Sequence, residues 1–140
     1  MKAFAELLDR LNYTPSRKGK LALMSNYFQA TPDPERGYAL AVLTDVLRFS
    51  FPARKTVLVL AADHIDPEIF KLSRDYVGDT AETLSLIWPD VKQGQVPRLS
   101  DVINTLAITN NSTIKDILKI WLDALDVNGR WALLKIVTGS

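Results

Sequence analysis

The sequence contains no cysteine and only one histidine, His64. Without cysteine there is no disulfide framework and no thiolate metal site, which agrees with a reducing cytoplasm. A single histidine leaves histidine-based metal sites without their ligands, and we assign His64 no part in a Ser-His-Asp triad. We predict that His64 lies at the surface, or at its boundary with the core, near the end of a helix.

Several motifs of enzymes are also missing. The chain has no glycine-rich phosphate loop and no nucleophile elbow. The carboxylates Asp75, Asp79 and Glu82 lie close together, but helix capping by Asp79 and Glu82 explains two of them without acid-base chemistry. These absences predict that the chain has no active site of a common type.

Long apolar runs are absent as well. No run approaches the roughly 20 residues that span a bilayer. The N-terminus places Glu6 and Asp9 inside an apolar pattern, which is typical of an amphipathic helix and not of a signal peptide. We therefore expect a cytoplasmic protein without membrane contact.

An excess of one charge sign is nearly absent from the chain as a whole, but the charges are distributed unevenly along it. The net charge is +1. Residues 1–30 carry five Lys/Arg and two Asp/Glu, whereas residues 31–111 carry eight Lys/Arg and eleven Asp/Glu. Residues 112–140 carry four and three. Any anion-binding surface must therefore be built from local clusters near the two ends of the chain.

What the sequence has in abundance is helical periodicity. Apolar residues recur at helical spacing in four stretches, beginning at Phe4, Leu21, Ile114 and Trp131. The tryptophans Trp88, Trp121 and Trp131 lie on such apolar faces, which favours packing in the core. We predict an all-α domain, residues 1–140, of about nine helices of roughly 8–14 residues without a regular repeat.

Two further segments are predicted from their residues. Residues 56–62 form a short β-branched run without a partner strand or a hairpin turn, and we interpret them as a buried helix. Residues 89–98 are the best candidate for a long loop.

Helix starts are marked by capping side chains. A capping residue precedes a proline at three places, Thr14-Pro15, Asp33-Pro34 and Asp66-Pro67. Asp79 with Glu82, and Thr113 with Asp116, have the spacing of a capping box. Weaker boundaries are expected at Ser100 and at Asn128-Gly129.

Four stretches follow one another in the order, and at about the spacing, seen in a known family. They are FAELLDRL, TPSRKGKLALMSNYF, DYVGDTAETLSLIWP and RWALLKIVTG. In these stretches the chain resembles the N-terminal DNA-binding domain of bacterial ATP-dependent DNA ligases, over nearly its whole length. The segments VGDTAET (77–83) and LLKIVTG (133–139) are the most specific parts of the resemblance.

The resemblance implies an all-helical domain that holds the minor-groove side of nicked duplex DNA, mainly through phosphates. In that family an adenylation (nucleotidyltransferase) domain and an OB-fold domain follow in the same polypeptide, and the whole ligase uses ATP and a divalent cation such as Mg²⁺. The catalytic lysine of the family lies in a K-x-D-G motif, which no lysine of this chain matches. We therefore expect an excised domain, inactive alone and without a cofactor of its own, from a nucleoid-associated enzyme of DNA replication, repair or recombination.

The first candidate for a phosphate contact is the stretch TPSRKGK. Arg17, Lys18 and Lys20 open a helix at the end where the macrodipole disfavours cations, so a bound anion would explain them. Thr14 and Ser16 add hydroxyl groups. The alternative is a solvated helix start whose cations face water.

Three other clusters have the same kind of composition. They are Gly78, Asp79 and Thr80 before a helix start; Ser112, Thr113 and Lys115 at another helix start; and Lys135, Thr138 and Gly139 at the end of the last helix. For each, the alternative is ordinary structure: a tight turn, a capping box with a surface lysine, and a cation at a helix C-terminus. Together the four clusters would form a surface that contacts DNA phosphates without reading sequence.

Two other function classes stay open. A helical protein-interaction scaffold would expose a sizeable apolar patch in place of a cationic face. An enzyme with an unfamiliar helical active site would gather ionisable residues in a pocket.

Overall fold

The computed structural model describes residues 1–139, and within them it contains nine α-helices and no β-strand. The helices are α1 (Lys2–Asn12), α2 (Arg17–Ala30), α3 (Glu35–Leu43), α4 (Ala53–His64), α5 (Pro67–Val77), α6 (Thr80–Ile87), α7 (Leu99–Ile108), α8 (Ile114–Ala124) and α9 (Val127–Thr138). The predicted all-α class is confirmed, as are the buried helix over residues 56–62 and the loop before α7. The longest described helix has 14 residues, and none is both long and apolar enough to cross a membrane.

Helix α9 lies at the centre of the core. It packs against α1, α4, α6 and α8. Its buried apolar residues are Ala132, Leu133, Leu134, Ile136 and Val137. A helix that is apolar around most of its circumference must be covered on most sides. Each fully buried leucine contributes about 1.5–3 kcal/mol, so α9 organises the helices that surround it.

One arginine lies inside this core. Arg130 is 1% exposed, and its guanidinium donates to the carbonyl oxygens of Leu122 and Ser85 and to Oδ1 of Asp90. It thereby joins the last turns of α8 and α6 to the loop that follows α6. No sequence motif marked Arg130 for this role.

The predicted helix starts are correct at Asp66, Asp79 and Thr113 and wrong at two other places. The Oδ1 atom of Asp66 accepts from the N–H groups of Glu68 and Ile69, and that of Asp79 accepts from Glu82 N–H. Helix α2 begins two residues after Thr14-Pro15, with Ser16 as its cap. Helix α3 begins just after Asp33-Pro34, where Asp33 pairs with Arg36 instead.

The start of α8 is correct, but the side chain that caps it is not the predicted one. Thr113 is the N-cap residue, but its side chain makes no capping hydrogen bond. The side-chain oxygen of Asn110 accepts from the backbone N–H groups and the hydroxyls of Ser112 and Thr113. The weaker boundary at Asn128-Gly129 also moves, because Asp126 caps α9 through Gly129 N–H.

Helix α2 is less buried than its apolar stripe predicts. None of its residues is buried, and Leu21 is 54% exposed, while Met24 and Phe28 are half-buried. Tyr27 supplies the contact with α1, through an edge-to-face packing on Phe4 with ring centroids 6.2 Å apart. The face of α2 that meets α1 therefore carries Tyr27, and Leu21 belongs to a different face of the same helix.

The aromatic residues follow the predicted pattern. Trp88 is buried and donates from its indole N–H to Oδ1 of Asp123 at 3.0 Å. Trp121 and Trp131 are half-buried against the core. His64 is the exposed last residue of α4, and its ring meets Trp88 edge-on with centroids 5.2 Å apart.

Candidate nucleic-acid interface

Gly78 ends α5 in the left-handed conformation, with φ = +87°. A side chain here would meet no atom within 4 Å, so the backbone angle and not crowding calls for glycine. The Gly78 N–H donates to the carbonyl of Arg74 at 2.7 Å. The N–H of Gly78 is therefore engaged by the end of α5 and is not free to donate to a phosphate.

Asp79, the next residue, uses both carboxylate oxygens. One caps α6 through Glu82 N–H at 3.0 Å, and the other accepts from Nζ of Lys135 at 3.2 Å. The capping hydrogen bond, and after it the Lys135 ammonium, hold the pKa of Asp79 below its ordinary value against the opposing effect of partial burial. Asp79 therefore stays ionised and orients Lys135.

The end of α9 lies directly beside the start of α6. Lys135 is half-buried, with Nζ also 5.9 Å from the centroid of the Trp131 ring. The Thr138 hydroxyl donates to the carbonyl of Leu134. Gly139 ends α9 in the left-handed conformation, with φ = +71°. Two of the four predicted clusters are thus adjacent in the fold and joined by one ion pair.

A cleft of about 480 Å³ opens at this junction. It is lined by five of the predicted residues, Gly78, Asp79, Thr80, Lys135 and Thr138. Two arginines that were not predicted from the sequence also line it, Arg54 from the first turn of α4 and Arg74 from α5. We call this site the basic cleft.

The two arginines are held differently. Arg74 donates from Nε to the hydroxyl oxygen of Thr80 at 2.7 Å, so both side chains are fixed at the cleft wall. A hydroxyl that accepts one hydrogen bond can still donate another. Arg54 is exposed and has no carboxylate partner among the described residues. Arg74 lies one helical turn before Gly78, so its position at the cleft could have been predicted from the sequence. Arg54 is far in sequence from the other residues of the cleft and could not.

The end of α1, which leads into the cationic start of α2, lies near the same end of α9. Asn12, two residues before Thr14, lines a second cleft together with Lys135 and Gly139. Arg17, Lys18 and Lys20 are exposed, and none of them forms an ion pair within residues 1–139.

The polar groups of this stretch already have partners. The oxygen of Ser16 accepts from Gly19 N–H, and the hydroxyl of Thr14 donates to the carbonyl of Arg10. A side chain at Gly19 would come within 2.8 Å of the Thr14 methyl group. A larger residue here would therefore have to displace the Thr14 side chain.

The fourth cluster lies elsewhere. Lys115 pairs with Asp63 at 3.4 Å, near the end of α4, whereas Arg54 opens that helix. Nine residues of helix separate Arg54 from Asp63 by about 14 Å. The hydroxyls of Ser112 and Thr113 are engaged by Asn110. The structure therefore does not bring Ser112, Thr113 and Lys115 to the basic cleft.

The chemistry of the basic cleft suits an anion. Three cations, Arg54, Arg74 and Lys135, face one carboxylate, that of Asp79, which is already used for capping and ion pairing. Arginine and lysine together with hydroxyl groups are the usual partners of phosphate oxygens. The described residues include no group of three or more His, Asp or Glu that could hold a metal ion.

Comparisons of the whole chain with protein-family models, with curated proteins and with solved structures found no match. Support for a function therefore comes from the geometry of the basic cleft. The resemblance to the DNA-binding domain of ATP-dependent ligases stays a prediction.

Proposed function

We propose that this chain binds duplex DNA through phosphate contacts, as the DNA-binding domain of an ATP-dependent DNA ligase. The observation that supports the proposal is the basic cleft, in which Lys135 and Thr138 of α9 meet Gly78, Asp79 and Thr80 before and within α6, with Arg54 and Arg74 added. These residues are distant in sequence, yet they form one cationic recess.

The composition of the cleft favours binding without sequence preference. Guanidinium, ammonium and hydroxyl groups on helix ends contact phosphates, which position a duplex and carry no base identity. The exposed cations Arg17, Lys18 and Lys20, which follow the end of α1, would lengthen the track beyond one phosphate. Binding of this kind suits an enzyme that seals nicks at any sequence.

The ligase assignment extends the proposal to partners. Adenylation and OB-fold domains of the same polypeptide would supply the K-x-D-G lysine, ATP and the divalent cation, and the site of action would be nicked DNA in the bacterial cytoplasm. The residues of this chain would hold and orient the duplex.

The experiment that tests DNA binding is a salt titration with two unrelated duplexes of equal length. We expect equal affinities and a linear fall of log K with log salt. Arg54→Ala should reduce the slope by about one unit, because Arg54 is free of ion pairs and its loss leaves the fold intact. Lys2→Ala is the matched control, since Lys2 lies at the opposite end of α1 from Asn12.

Three results would contradict the proposal: a strong preference for one duplex, affinity that is independent of salt, or an Arg54→Ala variant that titrates like the parent. A further assay separates the domain from a complete enzyme. Incubation with labelled ATP should leave the chain unlabelled, and a covalent AMP adduct would show that the chain is itself catalytic.

A further inference from the structure

The opposite side of the α5–α6 pair carries an apolar surface that nothing in the described chain covers. Helix α5 has no buried residue, and Ile69, Leu72 and Tyr76 form a stripe on it that is 56%, 69% and 94% exposed. Leu86 of α6 is 52% exposed and lines a groove of about 340 Å³ together with Leu72 and Tyr76. We call this the α5–α6 groove.

Exposure of this kind differs from a scattered surface leucine. The stripe repeats at i, i+3 and i+7, which is the periodicity of a face made for burial. Tyrosine is among the side chains that contribute most to protein interfaces. Contiguous apolar surface rimmed by polar residues marks an interaction site.

The rim of the groove is acidic. Glu68 and Asp75 lie within one helical turn of Leu72, and Glu82 lies one turn before Leu86. All three carboxylates are exposed, and within residues 1–139 none of them forms an ion pair. Two cations, Lys71 and Arg74, lie between Glu68 and Asp75, but Arg74 donates to Thr80 at the basic cleft, which leaves three carboxylates and one ammonium group around the apolar floor.

Shape and charge together define the occupant. A groove between two adjacent helices accepts the apolar face of a third helix, through side chains spaced at i, i+3, i+4 and i+7. An acidic rim pairs with lysine or arginine beside that apolar face. We propose that the α5–α6 groove docks a basic amphipathic helix of a protein partner. This inference does not depend on DNA binding.

The test uses a synthetic 18-residue peptide with leucine at helical spacing and lysine elsewhere. Two control peptides have the same leucine pattern with glutamate in place of lysine, and the same leucine–lysine composition in scrambled order. Binding to the whole chain is followed by calorimetry. We expect the leucine–lysine helix to bind at least about tenfold more tightly than either control peptide.

Protein variants locate the site. Leu72→Ser combined with Tyr76→Ser should weaken the peptide by about tenfold or more, while Ile108→Ser, at a residue 87% exposed on α7, should leave it unchanged. Glu68→Gln with Asp75→Asn should remove most of the protein's preference for the leucine–lysine peptide over the control peptide with glutamate. Duplex binding by all these variants should equal that of the parent, which separates this proposal from the basic cleft.

Three outcomes would overturn the inference. They are equal binding of the three peptides, unchanged peptide binding by the Leu72→Ser, Tyr76→Ser variant, and a concentration-dependent dimer of the parent that this variant converts to a monomer. The last result would assign the groove to a second copy of the chain.

Discussion

The two sides of the α5–α6 pair differ in polarity, in charge and in how firmly their side chains are held by hydrogen bonds. On one side, Arg74, Asp79 and Thr80 line the basic cleft and are tied to each other or to Lys135 by hydrogen bonds. On the other side, Leu72 and Tyr76 are exposed and their neighbouring carboxylates are unpaired within the described chain. The same two short helices thus carry one polar, organised recess and one apolar, acidic-rimmed groove.

This difference shows how little the net charge of +1 says about the surface. Cations predominate on the side of the basic cleft and carboxylates on the side of the α5–α6 groove, so a nearly neutral chain can offer an anion-binding and a cation-binding surface at once. The two surfaces can be separated by substitution because they share no side chain.

The largest effect is expected from a substitution of Arg130, because this residue holds α6, which contributes to both surfaces. Arg130 holds the carbonyl of Ser85 in α6, so Arg130→Ala leaves that carbonyl and the carbonyl of Leu122 without their donor and opens a cavity. We expect a loss of roughly 3–5 kcal/mol in the free energy of unfolding, measured by urea denaturation.

Arg98→Ala is the matched control, because Arg98 also pairs with a carboxylate, Asp101, but at the surface. It should leave the denaturation midpoint almost unchanged. Equal stability of the Arg130→Ala variant and the parent would show that the buried guanidinium does not hold α6 in place.

A smaller effect is expected from the cationic start of α2. Arg17→Ala with Lys18→Ala should flatten the salt dependence of duplex binding by about one unit for each phosphate that these side chains bind in the parent. Stability should hold or rise slightly, since both charges oppose the dipole of α2. Binding of the leucine–lysine peptide should not change.

Leu21→Ala in the same helix serves as a control for packing. Because Leu21 is 54% exposed, its truncation should change the free energy of unfolding by no more than about 0.5 kcal/mol. If the variant with Arg17→Ala and Lys18→Ala bound duplex DNA as tightly as the parent at low salt, the start of α2 would be an ordinary solvated helix end.

The smallest effect concerns the carboxylate inside the basic cleft. Asp79→Asn keeps a good capping residue for α6 and removes one negative charge. We expect duplex affinity to rise by about 1 kcal/mol, roughly fivefold. Reduced affinity would mean that Asp79 is needed to orient Lys135 more than it repels phosphate.

The same variant has a signature in the pH dependence of stability. The folded pKa of Asp79 is lowered from 3.8, so its stabilisation is fully present above the unfolded value and is lost as the pH falls through the folded one. Thermal unfolding at several pH values should therefore show the difference between parent and variant shrinking at acid pH. If the difference in thermal stability between parent and variant were the same at every pH, the ionisation of Asp79 would not be its source.

The sequence predicted the features that depend on neighbours along the chain. The all-helical class, the buried helix α4 and the caps at Asp66 and Asp79 follow from local periodicity and capping chemistry. Burial of Leu21 could not be decided in this way, because periodicity shows that a stripe exists and not which neighbour covers it.

The residues that could not be predicted are those whose role is set by distant partners. Arg54 and Lys135 line the same cleft although they are far apart in sequence, and no local pattern signals this. Arg130 follows no polar motif, and its burial depends on carbonyl groups supplied by α6 and α8. Conversely, Lys115 was selected for its local composition, but Asp63 pairs with it at the other end of α4.

The loop after α6 is tied down at intervals, which has a consequence for proteolysis. Asp90 is held by Arg130, the Gln93 N–H donates to the carbonyl of Asp123 at 3.1 Å, and Pro97 is buried. A protease must draw several consecutive residues into an extended form, which here would require releasing these anchors. The peptide bond after the exposed Lys92 should therefore resist trypsin in the folded protein, although it lies in the longest helix-free segment of the described chain.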